Sequence, residues 1–266
     1  MKRIATAVVL LPLFILAVLA RNPLVFETLA MVGAVLCAAE LERIGAASGV
    51  RPFPFLGSLW AVGFLFCAAW PEVFRLDVVL AAGLLACVGF ALWGKVPLSG
   101  VLASSALALF TAGYVGYLLS YMIQVRDLGE SLGARLIFLM AVVVWAGDSA
   151  AYYVGSAIGK HKLAPAVSPG KTWEGAVANV AGGLVGACVA RMTFFPDLEW
   201  LHALALAVLL SVVGQLGDLF ESALKRGAGV KDSGTLLPGH GGFLDRLDSL
   251  MVSGPVLFYY YQAFMR

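Results

Sequence analysis

Residues 217–248 read GDLFESALKRGAGVKDSGTLLPGHGGFLDRLD. In those 32 residues stand Asp218, Glu221, Lys225, Arg226, Lys231, Asp232, His240, Asp245, Arg246 and Asp248, while the chain around them is almost devoid of charge. The opening half predicts a helix, because Asp218, Glu221, Ser222 and Lys225 at i, i+3, i+4 and i+7 share one face. The middle cannot be helical, since Gly227, Gly229, Gly234, Pro238, Gly239, Gly241 and Gly242 interrupt it. A second helix starts near Phe243 and sets Asp245 and Asp248 on one face. Two acidic helix faces thus bracket a flexible basic loop, a pattern suited to a metal–phosphate site.

Working outward, composition decides the class. Charged residues are 13% of the 266, hydrophobic residues 61%, and mean hydropathy is +0.91. Ordinary soluble domains carry about 25% charge, and a soluble chain of this length has no interior large enough for so much apolar surface. The chain reads as an all-α, polytopic transmembrane helical protein. A net charge of +2 without any Lys/Arg run gives no support to a nucleic-acid partner. Cys37, Cys67, Cys87 and Cys188 lie scattered in apolar runs, which fits packing better than metal ligation or a disulfide.

Nine apolar segments are expected to span: 4–20, 24–47, 53–70, 76–93, 97–124, 132–155, 172–192, 201–223 and 248–265. They fall into an N-terminal group (1–71), a middle group (72–131) and a catalytic group (132–266) with two polar loops. Nine spans put the termini on opposite sides. With the N-terminus inside, inner segments hold 12 of the 18 basic residues and outer segments hold 6. The positive-inside rule then predicts N-in, C-out, with loops 156–171 and 224–247 in the cytoplasm. Glu40 and Glu42 read as shallow acids beside Arg43. The tryptophans read mostly as an interfacial belt, and Gly182/Gly186 as a close helix contact.

The loop GSAIGKHKLAPAVSPGKTWEG offers Lys160, His161, Lys162 and Lys171. Gly170-Lys171-Thr172 is not a P-loop, because Pro165 stands where that motif needs glycine and no strand is expected before it. Lys171 and the amides of the following helix could still meet an anion, or the loop could be a juxtamembrane basic segment touching acidic lipid headgroups. Asp148 lies within a span, where a carboxylate costs about 2.5–3.5 kcal/mol on insertion scales. It therefore faces a polar cavity or packs in a hydrogen bond to another helix. Asp218 is placed similarly. Carboxylates of this kind could hold Mg²⁺. His240 is open between a polar turn residue and a ligand, and neither His161 nor His202 has an evident partner.

These residues resemble the phosphatidate cytidylyltransferase (CDP-diacylglycerol synthase) family. The likeness rests on Ser222-Ala-Leu-Lys225-Arg226, Lys231-Asp232-Ser233-Gly234, Leu237-Pro238-Gly239-His240-Gly241-Gly242 and Asp245-Arg246-Leu247-Asp248, together with WAGDSAAY and the Lys171 loop. It is dense from Trp145 to Leu250. Before residue 130 it extends only to hydrophobic spans, and Gly170 stands where many relatives carry lysine. The resemblance implies cytidylyl transfer from CTP to phosphatidate, giving CDP-diacylglycerol and pyrophosphate, in a bacterial inner membrane with the site facing the cytoplasm. It implies a homodimer using Mg²⁺ and allows a monovalent cation beside it. Asp218 and Asp245 would ligate the metal, with Asp248 and Asp148 as further candidates. Lys171, Lys225, Arg226 and Lys231 would grip the phosphates of CTP and phosphatidate. Topology and charge geometry divide them: Lys225, Arg226 and Lys231 directly follow an acidic helix face and are expected nearest the triphosphate, while Lys171, at headgroup depth, is expected to meet the phosphate of phosphatidate. Ser222 and Asp232 would orient the group, and His240 and Arg246 would line the substrate side. A transporter would show symmetry between halves, which the one-ended crowding of charge lacks. A CDP-alcohol transferase would need a different spacing of acids than Asp245-Arg-Leu-Asp248. A plain scaffold would need no such convergence.

Overall fold

The computed structural model describes residues 2–236 and 241–266, with side chains for all of these except 2–7 and 130. Every expected span is helical among the described residues. The helices are α1 (Lys2–Leu19), α2 (Pro23–Ala47), α3 (Leu56–Ala69) and α4 (Leu76–Trp93), followed by α5 (Val101–Thr111) and α6 (Leu118–Arg126). The chain continues through α7 (Glu130–Ile158), α8 (Trp173–Thr193), α9 (Trp200–Gly227) and α10 (Leu244–Phe264). The expected fifth span is α5 and α6 joined by a π-helical segment, Ala112–Tyr117, so that Leu98–Arg126 runs as one rod.

Six described helices are long and apolar enough to cross a membrane: Pro23–Ala47, Leu76–Trp93, Leu98–Arg126, Ser131–Ile158, Trp173–Thr193 and Trp200–Gly227. Val8–Leu19 and Leu56–Ala69 are apolar but shorter. Helix α10 has 21 residues and carries Asp245, Arg246 and Asp248 in its first turns. Leu16, Leu85, Leu102, Val177 and Leu201 turn outward, as expected of side chains that meet lipid tails.

Local chemistry explains the ends. Asn22 Oδ1 accepts from the Leu24 amide at 3.0 Å, with Pro23 at the first helical position of α2. Thr172 caps α8 by accepting from the Gly175 amide at 3.1 Å. One feature was not expected. The loop before α8 contains an antiparallel hairpin, β1 (Lys162–Ala164) with β2 (Ser168–Thr172), in which Lys162 faces Thr172 and Ala164 faces Ser168. A short strand therefore does precede Gly170. Pro165 still excludes a P-loop, and Lys171 belongs to the second strand.

The chain divides into two compact units. The first comprises 1–124 and 224–246, the second 125–223 and 247–266. In the first, Phe53, Leu56, Trp60, Phe64, Cys87, Ala108 and Ala112 form a core cluster. Phe53 stacks on Phe90 with ring centroids 5.4 Å apart, and Phe64 meets Tyr117 edge-on at 5.8 Å. Trp60 is 4% exposed. It belongs to this core and not to an interfacial belt, whereas Trp93, Trp145, Trp173 and Trp200 are exposed. Glu42 is half-buried and has partners beyond Arg43. It accepts the backbone N–H groups of Gly57 and Ser58 and so supplies the cap that the start of α3 lacks.

In the second unit α7 and α8 pack closely. A Cβ on Gly182 would press on Ala150 and on the Ala146 carbonyl, and one on Gly186 would lie 3.1 Å from the Val142 carbonyl oxygen. That is the close crossing expected of the GxxxG pair. Arg135 pairs with Asp197 at 2.9 Å, and the Arg191 guanidinium lies 4.2 Å from the Trp200 ring centroid.

Candidate active site

In the second unit, α9 and α10 approach closely at Gly217. A Cβ there would strike Val252 and would lie 3.0 Å from the Asp248 carbonyl oxygen, so only glycine permits the contact. The approach brings together Asp218 and Glu221 from α9 and Asp248 from α10. One carboxylate oxygen of each lies within 4.8 Å of the others. Glu221 is 1% exposed and Asp248 7%. Three carboxylates at that spacing repel one another, and two have lost their water, so a cation among them would offset that cost. An all-oxygen carboxylate set suits Mg²⁺, which binds a few carboxylates and leaves positions for substrate phosphates.

Further polar groups gather at Asp218. Lys171, from β2, sets its Nζ 2.8 Å from Asp218 Oδ2. Ser222, one turn further along α9, donates to Asp218 Oδ1 at 3.4 Å. Asp148 on α7 accepts from Asn179 Nδ2 of α8 at 3.1 Å. Asp218 and Lys171 are the charged groups that act on it. Asp148 thus makes the packed inter-helix hydrogen bond and stands outside the carboxylate trio. At the mouth of the hairpin His161 Nδ1 lies 2.7 Å from Glu174 Oε1, and His202 Nδ1 lies 3.0 Å from the Tyr260 hydroxyl. Both histidines have partners that the sequence did not suggest.

The other predicted site residues lie in the first unit, in the segment 224–246. Lys225, 8% exposed, is ion-paired with Asp245. The second Asp245 oxygen, Oδ2, accepts from the Gly242 amide at 2.7 Å and the Ser233 amide at 3.1 Å. Asp245 is therefore enclosed by a lysine and by loop amides, and is not a member of the trio. Arg226 Nη1 donates to the Val230 carbonyl at 3.0 Å and its side chain is exposed. Lys231, Asp232 and Arg246 are also exposed. His240 lies outside the described residues.

The structure differs from the sequence reading in two assignments of neighbours. The lysine against Asp218 is Lys171, which was expected to meet phosphatidate, with Lys225, Arg226 and Lys231 nearer the metal. Glu221 and not Asp245 completes the trio with Asp248. Glu221 was legible as part of the acidic face, at i+3 from Asp218, but its buried position beside α10 was not.

Fold and site together define a polytopic helical membrane protein with a carboxylate trio on two adjoining helices and a lysine from the hairpin against it. The chain belongs to the cytidylyltransferase family, whose family model matches residues 1–264. It is 40% identical to phosphatidate cytidylyltransferase of Brucella suis over 199 residues, covering 73% of this chain and 72% of that protein. It is 45% identical to the Bacillus subtilis protein of the same name over 146 residues, 55% of this chain and 54% of that one. A third such protein, from Haemophilus influenzae, is 41% identical over 174 residues, covering 64% of this chain and 59% of its own length. The matches thus span between about half and three quarters of these relatives.

Proposed function

We infer that this chain is a membrane nucleotidyltransferase that transfers the cytidylyl group of CTP to phosphatidate, giving CDP-diacylglycerol and pyrophosphate. Family membership and the names of the relatives support the substrates. The observation that carries the chemistry is the trio of Asp218, Glu221 and Asp248 with Lys171 against it.

In the reaction a phosphatidate phosphate oxygen forms a bond to the α-phosphorus of CTP, and the bond from that phosphorus to the bridging oxygen of the β-phosphate breaks. No protein nucleophile is required. Asp218, Glu221 and Asp248 would hold a divalent cation, which would supply charge neutralisation as the two anions meet and as pyrophosphate leaves. The chain's own residues do the rest. Asp218, Glu221 and Asp248 orient the acidic pocket, and Lys171 offers a cation beside Asp218. Ser222 steadies that carboxylate. Lys225, Arg226 and Lys231 supply further positive charge on the last turn of α9 and the segment after it. Their assignment to CTP, and that of Lys171 to phosphatidate, rests on topology and charge geometry. The buried α9–α10 contact keeps water from two of the three carboxylates.

The finer reading keeps nine spans, N-in and C-out, with this chemistry on the cytoplasmic side of a bacterial inner membrane. The 12-to-6 bias of basic residues and the bacterial relatives support it. A homodimer, Mg²⁺ and a monovalent cation beside it rest on the family resemblance, to which the trio adds its fitness for Mg²⁺. Purified protein given CTP and phosphatidate in mixed micelles should release pyrophosphate and CDP-diacylglycerol in equal amounts, and only with a divalent cation present. Pyrophosphate release without phosphatidate, or none with both substrates, would refute the reading.

A further inference from the structure

Glu40, on α2, is 0% exposed. A carboxylate enclosed in a membrane helix is costly unless its lone pairs are satisfied, and this one is satisfied from the far end of the chain. Its Oε1 accepts from the Phe243 amide at 3.0 Å, and its Oε2 from the Leu244 amide at 2.9 Å and the Ser233 hydroxyl at 2.8 Å. Helix α10 begins at Leu244, so these amides are among the free N–H groups of its first turn. A Cβ on Gly234 or Gly242 would run into the same carboxylate, so the backbone closes around it.

The hold passes onward through Ser233. Its hydroxyl lies 3.0 Å from Asp245 Oδ2 as well, and its amide donates to that oxygen at 3.1 Å. One hydroxyl proton is thus set between two carboxylates, Glu40 and Asp245. Asp245 in turn is paired with Lys225. All four side chains belong to the first unit. The run Glu40, Ser233, Asp245, Lys225 links a helix of the N-terminal region to a lysine at the end of α9.

We propose that Glu40 is a positioning residue for the transfer reaction, fixing Asp245 and Lys225 through Ser233. The inference rests on the reading given under Proposed function and extends it. The N-terminal helices are then not only membrane anchors, because one of them sets the geometry of the loop that bears the cations. Glutamine at position 40 keeps the shape but offers one acceptor where three donors converge, so the loop should loosen while the helices stay inserted.

The test compares wild type with Glu40→Gln, Ser233→Ala and the double variant in phosphatidate micelles. Each single variant should lower kcat roughly 10-fold or more, the scale expected for losing a hydrogen bond to a charged group. The KM for CTP should stay within about threefold, because the lost interaction sets geometry and not uniform binding. Melting temperatures in detergent should remain near that of the wild type. The double variant should lose no more than Glu40→Gln alone, since both act through one link. Amide exchange at Ser233 and at Gly242, Phe243 and Leu244 should quicken in Glu40→Gln. Wild-type turnover in Glu40→Gln, or losses in the single variants that multiply in the double, would overturn the proposal. If Glu40→Gln does not fold, Ser233→Ala decides, and full turnover there refutes the link. An inactive wild type would instead refute the functional reading itself.

Discussion

Asp218 is where charge, hydrogen bonding and helix packing meet. Its neighbours in the trio come from two helices, Lys171 touches it from the hairpin, and Ser222 steadies it. Asp218→Asn and Glu221→Gln should each abolish turnover at ordinary Mg²⁺, or restore part of it only at much higher Mg²⁺, while the protein stays extractable in detergent. Asp245→Asn should also lower turnover, yet leave half-saturation by Mg²⁺ near the wild-type value, because Asp245 binds Lys225 and loop amides. Titrating Mg²⁺ against initial rate separates the two outcomes. An Asp245→Asn enzyme rescued by Mg²⁺ would return that residue to the metal. Lys171→Ala should cost roughly 10- to 150-fold in kcat/KM, the equivalent of about 1.5–3 kcal/mol for a hydrogen bond to a charged group. Activity within about twofold of wild type would remove Lys171 from the site.

Elements differ in how openly the sequence announces them. Long apolar runs bounded by Pro, Gly and charge mark the helices directly, and the segments expected at 24–47 and 76–93 match α2 and α4 to within a residue. The hairpin was hidden, because KLA and SPGKT show neither alternation nor β-branched enrichment, and pairing comes from their antiparallel approach. Glu40 was hidden for another reason: its donors stand about two hundred residues away, and only Arg43 was near enough in sequence to suggest a partner. Asp148 and Asp218 were readable because an acid within a span demands an explanation. The same logic applied to Glu40 would have flagged it. At the α9–α10 contact the deciding residue is Gly217. Gly217→Val should force the helices apart and cost about 1–3 kcal/mol by overpacking, read as a lower melting temperature in detergent together with lost turnover. A variant as stable and active as wild type would mean the contact is looser than it stands.

At the scale of the whole molecule, two units each carry part of the chemistry inferred from one stretch of sequence. The trio and Lys171 belong to one, while the Glu40 carboxylate, Ser233, Asp245 and Lys225 belong to the other. Helices α9 and α10 contribute residues to both, which is why residues 217–248 dominate the sequence reading. Topology is testable at the same scale. A reporter fused after Arg266 should read as outside the cytoplasm, and an inside signal would mean that one expected span does not cross. The central claim, cytidylyl transfer, is met most directly by following each phosphorus of CTP. Purified protein with phosphatidate and Mg²⁺ should move label from α-labelled CTP into the lipid phase and leave label from γ-labelled CTP in aqueous pyrophosphate. Label from γ-labelled CTP in the lipid, or none from the α position, would contradict it.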